Sequence, residues 1–397
     1  MKVLVINCGS SSLKYQLFNM DDETVLAKGL VEKIHLPDSV LHHNTAGKQE
    51  ITIKQPISDH TQAIELMLAA MLDRENGAIS DLSEIDAVGH RVVHGGSYFK
   101  ESSLINDAMM ARVKELVELA PLHNPAGISG IEACMTALPD VPMVGVFDTA
   151  FHSTMPEKNY MYAIPYEYYE KYGIRRYGFH GTSHKYVSQR LNSLIGAGKK
   201  IITCHLGSGS SIAAINSEWV EDTSMGFTPL QGLVMGTRCG DVDPSIITFL
   251  MEKENLTSAQ LTDILNKKSG LLGLSGVSSD LRAVEAAAKE GNERAQMALN
   301  VFKKSVIRYI GAYSAELQGV DAIVFTAGIG ENSSSMRKEI CHAVAYLGIE
   351  IDDAKNKLRG EEVEITTPDS KVRVFVIPTN EELMIARDTK EVLTKKF

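Results

Sequence analysis

Apolar positions along the chain fall into two repeating patterns, one of period two and one of period 3.6, and they alternate. The first stretch reads as strands at Val3 to Ile6, Lys14 to Phe18, Thr24 to Val31 and Gln49 to Ile53. Ile64, Met67, Leu68, Met71 and Leu72 fall at i, i+3, i+4, i+7 and i+8, which predicts a helix. Asn124-Pro125 reads as an N-cap with a first-turn proline, opening a helix through Met135. Val141 to Phe147 reads as a buried strand ending at Asp148, whereas His42 and His43 have no supporting pattern and read as loop. Past residue 150 the alternation restarts. Strands are expected at Lys200 to Leu206 and Ser211 to Ile215, with a helix opened by Asp243-Pro244. A long helical region from Ser279 to about Leu317 breaks at Gly291. Strand Asp321 to Thr326, a Gly-rich turn, a helix, strand Val372 to Pro378 and a last helix follow.

Within this alternation the chain echoes itself. Val3-Leu4-Val5-Ile6-Asn7-Cys8-Gly9-Ser10-Ser11-Ser12 lines up with Ile201-Ile202-Thr203-Cys204-His205-Leu206-Gly207-Ser208-Gly209-Ser210, 198 positions later. Each is an apolar strand, then Gly-Ser-x-Ser, then another strand. That spacing is half the chain, which points to a duplicated domain whose two hairpins face each other across a cleft. With 397 residues the chain is long for one core, so two domains are expected. The expected division is residues 1–150 plus 384–397 for an N-terminal domain and 151–383 for a C-terminal one.

Composition narrows the class. A 44% hydrophobic and 23% charged chain is globular in profile. The formal net charge of -10, with no dense Lys/Arg block, argues against nucleic acid, so an anionic substrate needs a local cationic site. No run approaches the roughly 20 apolar residues that cross a bilayer, and the apolar opening is too short for a signal peptide. Five scattered cysteines without a Cys-x-x-Cys pair suit reduced thiols in the cytoplasm.

Three segments could cradle phosphate with unobstructed backbone N–H groups and hydroxyls: Gly9-Ser10-Ser11-Ser12, Gly207-Ser208-Gly209-Ser210-Ser211, and Gly328-Ile329-Gly330-Glu331-Asn332. Singly, each is more often a plain turn; two at matching places in two halves are harder to dismiss. Lys14, two residues past Ser12, could reach a phosphate as a point charge. Rival signatures fail. Gly198-Lys199 has Ser193 where a Walker A loop needs Gly, and Lys200 where it needs Ser or Thr. His90-Arg91-Val92 is not a protein-kinase catalytic loop. His180 and His184, spaced i and i+4, could form a zinc pair, but no third ligand accompanies them. Strands feeding two hairpin phosphate loops suggest an α/β fold of the two-domain actin/hexokinase-like plan, that of the sugar kinase–actin–chaperone ATPase superfamily.

Five blocks carry a resemblance: residues 5–14, Gly89-His90-Arg91-Val92-Val93-His94-Gly95-Gly96, Gly178 to His184, Gly236 to Pro244, and Thr379-Asn380-Glu381-Glu382. In that order they resemble the acetate/butyrate kinase family over essentially the whole chain, closest to its acetate members. The resemblance implies phosphoryl transfer from ATP to acetate, giving acetyl phosphate and ADP, with Mg²⁺ (Mn²⁺ a possible substitute), and a homodimer. Propionate is the rival substrate, and an ATPase without acyl acceptor is the rival class.

The resemblance also implies roles. Asn7 and Glu381 would serve the metal, with Glu382 the adjacent alternative. Lys14, Ser10 and Ser12, the run His205, Leu206, Gly207, Ser208 and Gly209, the run Asp280, Leu281 and Arg282, and the run Gly328, Ile329, Gly330, Glu331 and Asn332 would line the nucleotide. Asp148, His180 and Arg238 would surround the reacting groups, and Arg91 would grip the carboxylate. Val93, Leu122, Phe179 and Pro229 would surround the substrate methyl. Ser208 stands where the family commonly has Asn, so a direct side-chain phosphate contact is not expected there. On a strand, Arg91 and Val93 would share one face.

Overall fold

The computed structural model describes residues 1–121 and 124–395. Its contacts divide the chain into a first unit, Met1–Phe151 with Asn380–Phe397, and a second unit, His152–Thr379. Phe151 and residues 380–383, assigned to the second domain from sequence, therefore lie in the first unit, the latter with the helix Glu381–Thr394 that Asn380 caps.

The first unit contains β1 (Lys2–Cys8), β2 (Ser12–Asn19), β3 (Thr24–Glu32), β4 (Val40–Thr45), β5 (Ile51–Lys54), β6 (Ala87–Val92), β7 (Ser103–Leu104) and β8 (Met143–Phe147), in the order β5-β4-β3-β2-β1-β6-β8-β7. The second contains β9 (Lys200–Leu206), β10 (Ser210–Asn216), β11 (Trp219–Thr223), β12 (Ala322–Thr326), β13 (Val363–Glu364) and β14 (Arg373–Val376), in the order β11-β10-β9-β12-β14-β13. The two sheets share one path. β1, β2 and β3 form an antiparallel meander and β1 then pairs parallel with β6, which pairs parallel with β8. β9, β10 and β11 repeat the meander, and β9, β12 and β14 repeat the parallel run. β1 and β9 begin and end 198 positions apart, as the sequence echo requires, so the duplication is real.

Each unit has its own apolar core. In the first, the helix His60–Met71 buries Ile64, Met67 and Met71 against Leu13, Leu17 and Val31 of the meander. In the second, the long helix Glu293–Glu316 buries Phe302, Val306 and Ile310 with Ile202, Ile323 and Phe325 of the sheet. Fully burying one such side chain contributes about 1.5–3 kcal/mol.

Two expectations are corrected. His42 and His43 are strand residues, on β4. His43 turns inward, within 2.6 Å of the Tyr15 hydroxyl through Nδ1 and 3.0 Å of Thr45 Oγ1 through Nε2. Burial lowers its pKa, so it sits there as a neutral ring. Its partners come from β2 and from beyond its own dipeptide, and no local pattern announces them. Asn124 is the first residue of its helix, and its side chain serves another segment. It accepts from the His94 N–H (3.2 Å) and donates to the His94 carbonyl (3.2 Å), pinning the chain just past β6.

Asp222, on β11, gives a pH prediction. Burial pushes its pKa up to about 7, although Arg176 Nε lies 3.4 Å away and opposes the shift. A carboxyl raised above its unfolded value contributes stability that is present below about 4 and is lost as pH rises through about 7. Melting temperature is therefore expected to fall between pH 5 and 8, by the equivalent of about 2–4 kcal/mol from this group. Asp222→Asn should flatten that slope; an equal slope in the variant would assign the pH dependence elsewhere.

Candidate active site

In the first unit, the side chains of interest stand at the carboxyl ends of parallel strands, where the backbone stops pairing and side chains can converge. Asn7 is the penultimate residue of β1, Arg91 the penultimate residue of β6, and Asp148 follows β8 directly. Arg91 Nε donates to both Asp148 oxygens (3.2 and 3.1 Å), Nη2 donates to Oδ2, and Nη1 donates to Asn7 Oδ1 (3.3 Å). Asp148 is 1% exposed and Arg91 21%. Burial works against the guanidinium, yet the charges of Asp148, then Glu381 and Glu382, hold its pKa above the ordinary arginine value.

Glu381 and Glu382 arrive on the first turn of the helix Glu381–Thr394, where acidic residues suit the helix dipole. Asn380 caps the helix by accepting from Leu383 N–H (3.0 Å). The helix packs on β6 because position 89 is glycine. A Cβ there would lie 2.4 Å from Thr389 Oγ1 and 2.8 Å from Ile385 Cγ2, so any side chain would push the helix off the strand. Burial, and then the like charges of Asp148 and Glu382, push the Glu381 carboxyl up to about 7, while Arg91 and Lys14 oppose the rise. Lys14 is exposed on β2, directly across the ladder from Asn7. Ser10 and Ser12 lie at the hairpin turn, where Gly9 N–H donates to the Ser12 carbonyl (2.8 Å).

Val93 is not on the strand. β6 ends at Val92, and the chain bends there, so the same-face argument for Arg91 and Val93 does not hold. The cause is the His94 backbone, which bonds to Asn124 in place of a neighbouring strand. Leu122 lies outside the described residues.

The second unit gathers the remaining groups around the second hairpin. His180 caps the helix Gly181–Ile195 in a left-handed backbone conformation (φ 56°), which few non-glycine residues adopt. Its ring stacks on His205 at 4.1 Å between centroids. Gly209 lies beside it: a Cβ built there falls 3.4 Å from His180 Nε2 and 3.5 Å from Arg238 Nη1, so three of the expected residues meet. Arg238 Nη1 donates to the carbonyl of Pro229 (3.1 Å), and burial lowers its pKa. Phe179 is buried, and its carbonyl accepts from His152 Nε2 (2.9 Å).

The nucleotide-assigned segments are placed as follows. Leu206 is wholly buried at the end of β9, and Gly207 N–H donates to the Gly209 carbonyl (3.1 Å). Ser208 is exposed, and its carbonyl accepts from Gly236 N–H (3.0 Å). Asp280 caps the helix Leu281–Lys289, and pairs with Arg282, which is 89% exposed; Leu281 is buried. Gly328, Ile329, Gly330, Glu331 and Asn332 form one short helix after β12. Glu331 is engaged locally: its carboxylate accepts from the N–H groups of Ala327 (2.8 Å) and Thr379 (3.2 Å).

Sequence reasoning passed over the hydroxyls that hold the histidines. Thr203, Ser211, Ser183 and Thr379 each bond within this cluster. A signal existed in the polar alternation of Thr203 and His205 on an otherwise apolar strand. His184 uses both ring nitrogens on hydroxyls, at 2.7 Å to Thr203 and 2.8 Å to Ser211, which leaves no lone pair for a zinc pair with His180. Among the described residues, no group of three or more His, Cys, Asp or Glu is arranged to hold a metal by itself. No helix among them is long and apolar enough to cross a membrane.

Known proteins resemble this chain along its full length. The acetate kinase of Treponema denticola is 58% identical over 392 residues, covering 98% of this chain and 99% of that protein. The acetate kinase of Alkaliphilus metalliredigens is 58% identical over 396 residues, covering 99% and 100%. The crystal structure of Porphyromonas gingivalis acetate kinase superposes with a TM-score of 0.94 at 50% identity, covering 99% of each chain. A propionate kinase from Francisella tularensis superposes with a TM-score of 0.93 at 42% identity, covering 98% and 99%. The acetokinase family profile matches residues 2–387, which include Asn7, Arg91, Asp148, His180, Arg238 and Glu381, and the chain belongs to that family.

Proposed function

We propose that the protein transfers the γ-phosphoryl group of ATP to acetate, forming acetyl phosphate and ADP, and catalyses the reverse reaction. The observation that carries this reading is Arg91, aimed by Asp148 and Asn7 at the open ends of parallel strands, in a chain whose relatives are acetate kinases. Acetate is already a carboxylate at neutral pH, so its oxygen attacks the γ-phosphorus without a base. The new O–P bond forms as the bond to the β-phosphate oxygen breaks, and that oxygen leaves with its charge on ADP. The obstacle is repulsion between two anions, which positioned cations and hydrogen-bond donors offset. Arg91 holds the carboxylate through its fork, and Asp148 orients Arg91 without moving a proton. His180 and Arg238 donate to the transferring phosphoryl group. Lys14, Ser10 and Ser12, with the second hairpin, Asp280 to Arg282 and Gly328 to Asn332, receive the nucleotide.

A divalent cation suits the first unit. Glu381 is held near 7 by burial and by the neighbouring charges of Asp148 and Glu382, a cost that a cation would relieve. Glu381 and Asn7 are hard oxygen donors of the kind Mg²⁺ takes, with Glu382 beside them. When bound, Mg²⁺ (or Mn²⁺) neutralises phosphate charge. We further infer a homodimer working in the cytoplasm, in keeping with five unpaired cysteines.

The test is trapping of acyl phosphate with hydroxylamine, using ATP, Mg²⁺ and a series of straight-chain acids. Acetate-dependent hydroxamate, with ADP formed in equal amount, is expected. ATP hydrolysis at one rate with and without acetate would overturn the kinase reading in favour of an ATPase.

Propionate is the second reading, and the propionate kinase structure, at 42% identity, supports it less than the acetate kinases support the first. Val93 follows Arg91 by two residues, half-buried at the bend after β6, and we assign it with Leu122, Phe179 and Pro229 to the methyl pocket. Val93→Ala should raise the propionate-to-acetate ratio of kcat/KM by roughly 5- to 10-fold, the worth of about 1–1.4 kcal/mol for one methylene. An unchanged ratio would place the pocket elsewhere.

A further inference from the structure

The second unit holds a chain of buried hydroxyls and imidazoles that ends on His180. Thr203 and His205 project from one face of β9, Ser211 stands across the ladder from His205, and the helix Gly181–Ile195 lays His184 over them. Thr203 Oγ1 lies 2.7 Å from His184 Nδ1, His184 Nε2 lies 2.8 Å from Ser211 Oγ, and Ser211 Oγ lies 2.9 Å from His180 Nδ1. Thr203, His184 and Ser211 are all 0% exposed, so the line is closed to bulk solvent.

Each proton has one place to go. Among the described residues, Thr203 Oγ1 has a single hydrogen-bond partner, His184 Nδ1. A buried hydroxyl proton left without an acceptor is costly, so Thr203 donates and Nδ1 accepts. Among the described residues no carboxylate acts on His184, and burial, then the neighbouring His152 and His205, hold its pKa well below the ordinary value. It is neutral, and its one N–H is on Nε2, donating to Ser211. Among the described residues Ser211 Oγ has two partners, His184 and His180, and it already accepts from the first. Its own proton must point at His180 Nδ1. A neutral imidazole that accepts at Nδ1 carries its hydrogen on Nε2.

We propose that Thr203, His184 and Ser211 are a relay of positioning residues that fixes His180 as the Nε2–H tautomer. This rests on the phosphoryl-donor role given to His180 above. The Cε1–Nε2 edge of the ring faces Gly209, near Arg238 Nη1. With the hydrogen on Nε2, His180 offers a donor to a phosphoryl oxygen; in the other tautomer a lone pair would face that oxygen and repel it. The stack on His205, whose Nδ1 is bound to Ser183 Oγ at 2.8 Å, keeps the ring plane from turning. The relay explains why a histidine one step from the hairpin is backed by two further polar layers in a fully buried region. It also explains why His184, which touches neither substrate in this reading, is held at both nitrogens.

The test has two readouts on the full-length protein. Long-range ¹H–¹⁵N correlation spectra of histidine-labelled wild type should show His180 protonated at Nε2 and bare at Nδ1. Ser211→Ala should shift His180 toward a mixture of tautomers and lower kcat by about 10²-fold, the worth of one transition-state donor. The KM for ATP and for acetate should stay within about threefold, since ground-state contacts are untouched. Thr203→Val, which keeps the shape and removes the hydroxyl, should act in the same direction, and Thr203→Ser should restore both readouts. Wild-type His180 protonated at Nδ1, or full kcat with an unchanged tautomer in folded Ser211→Ala, overturns the relay. The spectrum needs no turnover. The Nε2–H form in a protein without acetate-dependent transfer would uphold the relay and overturn the kinase reading instead.

Discussion

Arg91→Ala is expected to damage both activity and stability. On activity, loss of the carboxylate grip should lower kcat/KM by the equivalent of about 2–4 kcal/mol, roughly 30- to 10³-fold. Arg91→Lys should recover little of it, because an ammonium cannot make the two-pronged contacts that the guanidinium makes to Asp148 while still reaching a substrate. On stability, the consequence follows from burial. Asp148 is 1% exposed, and Arg91 is its ion-pair partner. Removing one member of a buried pair takes its compensating charge from the other, at a cost of about 3–5 kcal/mol. The variant should therefore melt well below wild type, and Arg91→Ala/Asp148→Asn should recover part of the melting temperature without recovering activity. Kinetics at saturating acetate and thermal melts of the three proteins check this. A single Arg91→Ala variant with wild-type kcat/KM would remove Arg91 from the site.

Arg238→Ala should give the same loss of activity with little effect on stability. Its side chain is half-buried, and among the described residues it takes part in no ion pair. Its Nη1 is bound to the Pro229 carbonyl at 3.1 Å and to the Met235 sulfur at 3.8 Å. Folding therefore leaves a positive charge partly desolvated and uncompensated, which burial registers as a lowered pKa. The loop that carries it is closed independently. Asp241 Oδ1 accepts from Gly232 N–H (3.1 Å), Asp241 N–H donates to the Gly232 carbonyl (2.9 Å), and Tyr309 OH donates to Asp241 Oδ2 (2.9 Å). Removing Arg238 strands no anion and should change stability by no more than about 1 kcal/mol in either direction, with the bare Pro229 carbonyl opposing the relief. The same substitution should cost about 2–4 kcal/mol in kcat/KM, since a phosphoryl group is what would neutralise that charge. ATP or acetyl phosphate should then raise the melting temperature of wild type more than that of Arg238→Ala. Equal ligand stabilisation of both proteins would show that Arg238 does not meet the phosphoryl group.

The pairing of the two arginines with different environments is physically reasonable for this chemistry. On the proposed reading Arg91 is aimed before substrate arrives, and the fixed Asp148 carboxylate aims it. Arg238 left without a counter-ion has its full charge available for an incoming anion. The first arrangement gives geometry, the second gives electrostatic strength, and phosphoryl transfer between two anions calls for both.

How much of this was written in the order of residues can be seen element by element. The strand Lys200–Leu206, the helix after Asp243, the break at Gly291 and the 198-position echo were all legible, because each depends on contacts within a few residues or on direct repetition. The resemblance blocks likewise brought Asn7, Arg91, His180, Arg238 and Glu381 forward by residue type and neighbours, and Asp148 was marked by its place at the end of an apolar strand. Tertiary structure alone decided what these residues lean on. β4 forms because β3 offers it a ladder and Tyr15 offers His43 a partner, and neither is visible from His42-His43. Val93 leaves its strand because Asn124, thirty-one positions on, takes the His94 backbone. Asp148 reaches Arg91 across 57 positions, and Thr203 and Ser211 close on His184 from two different strands. Local propensity and periodicity determine which segments pair and fold. A proton's location on a buried ring, or the charge left without a partner, is set by side chains distant in sequence, and only packing brings them within 3 Å.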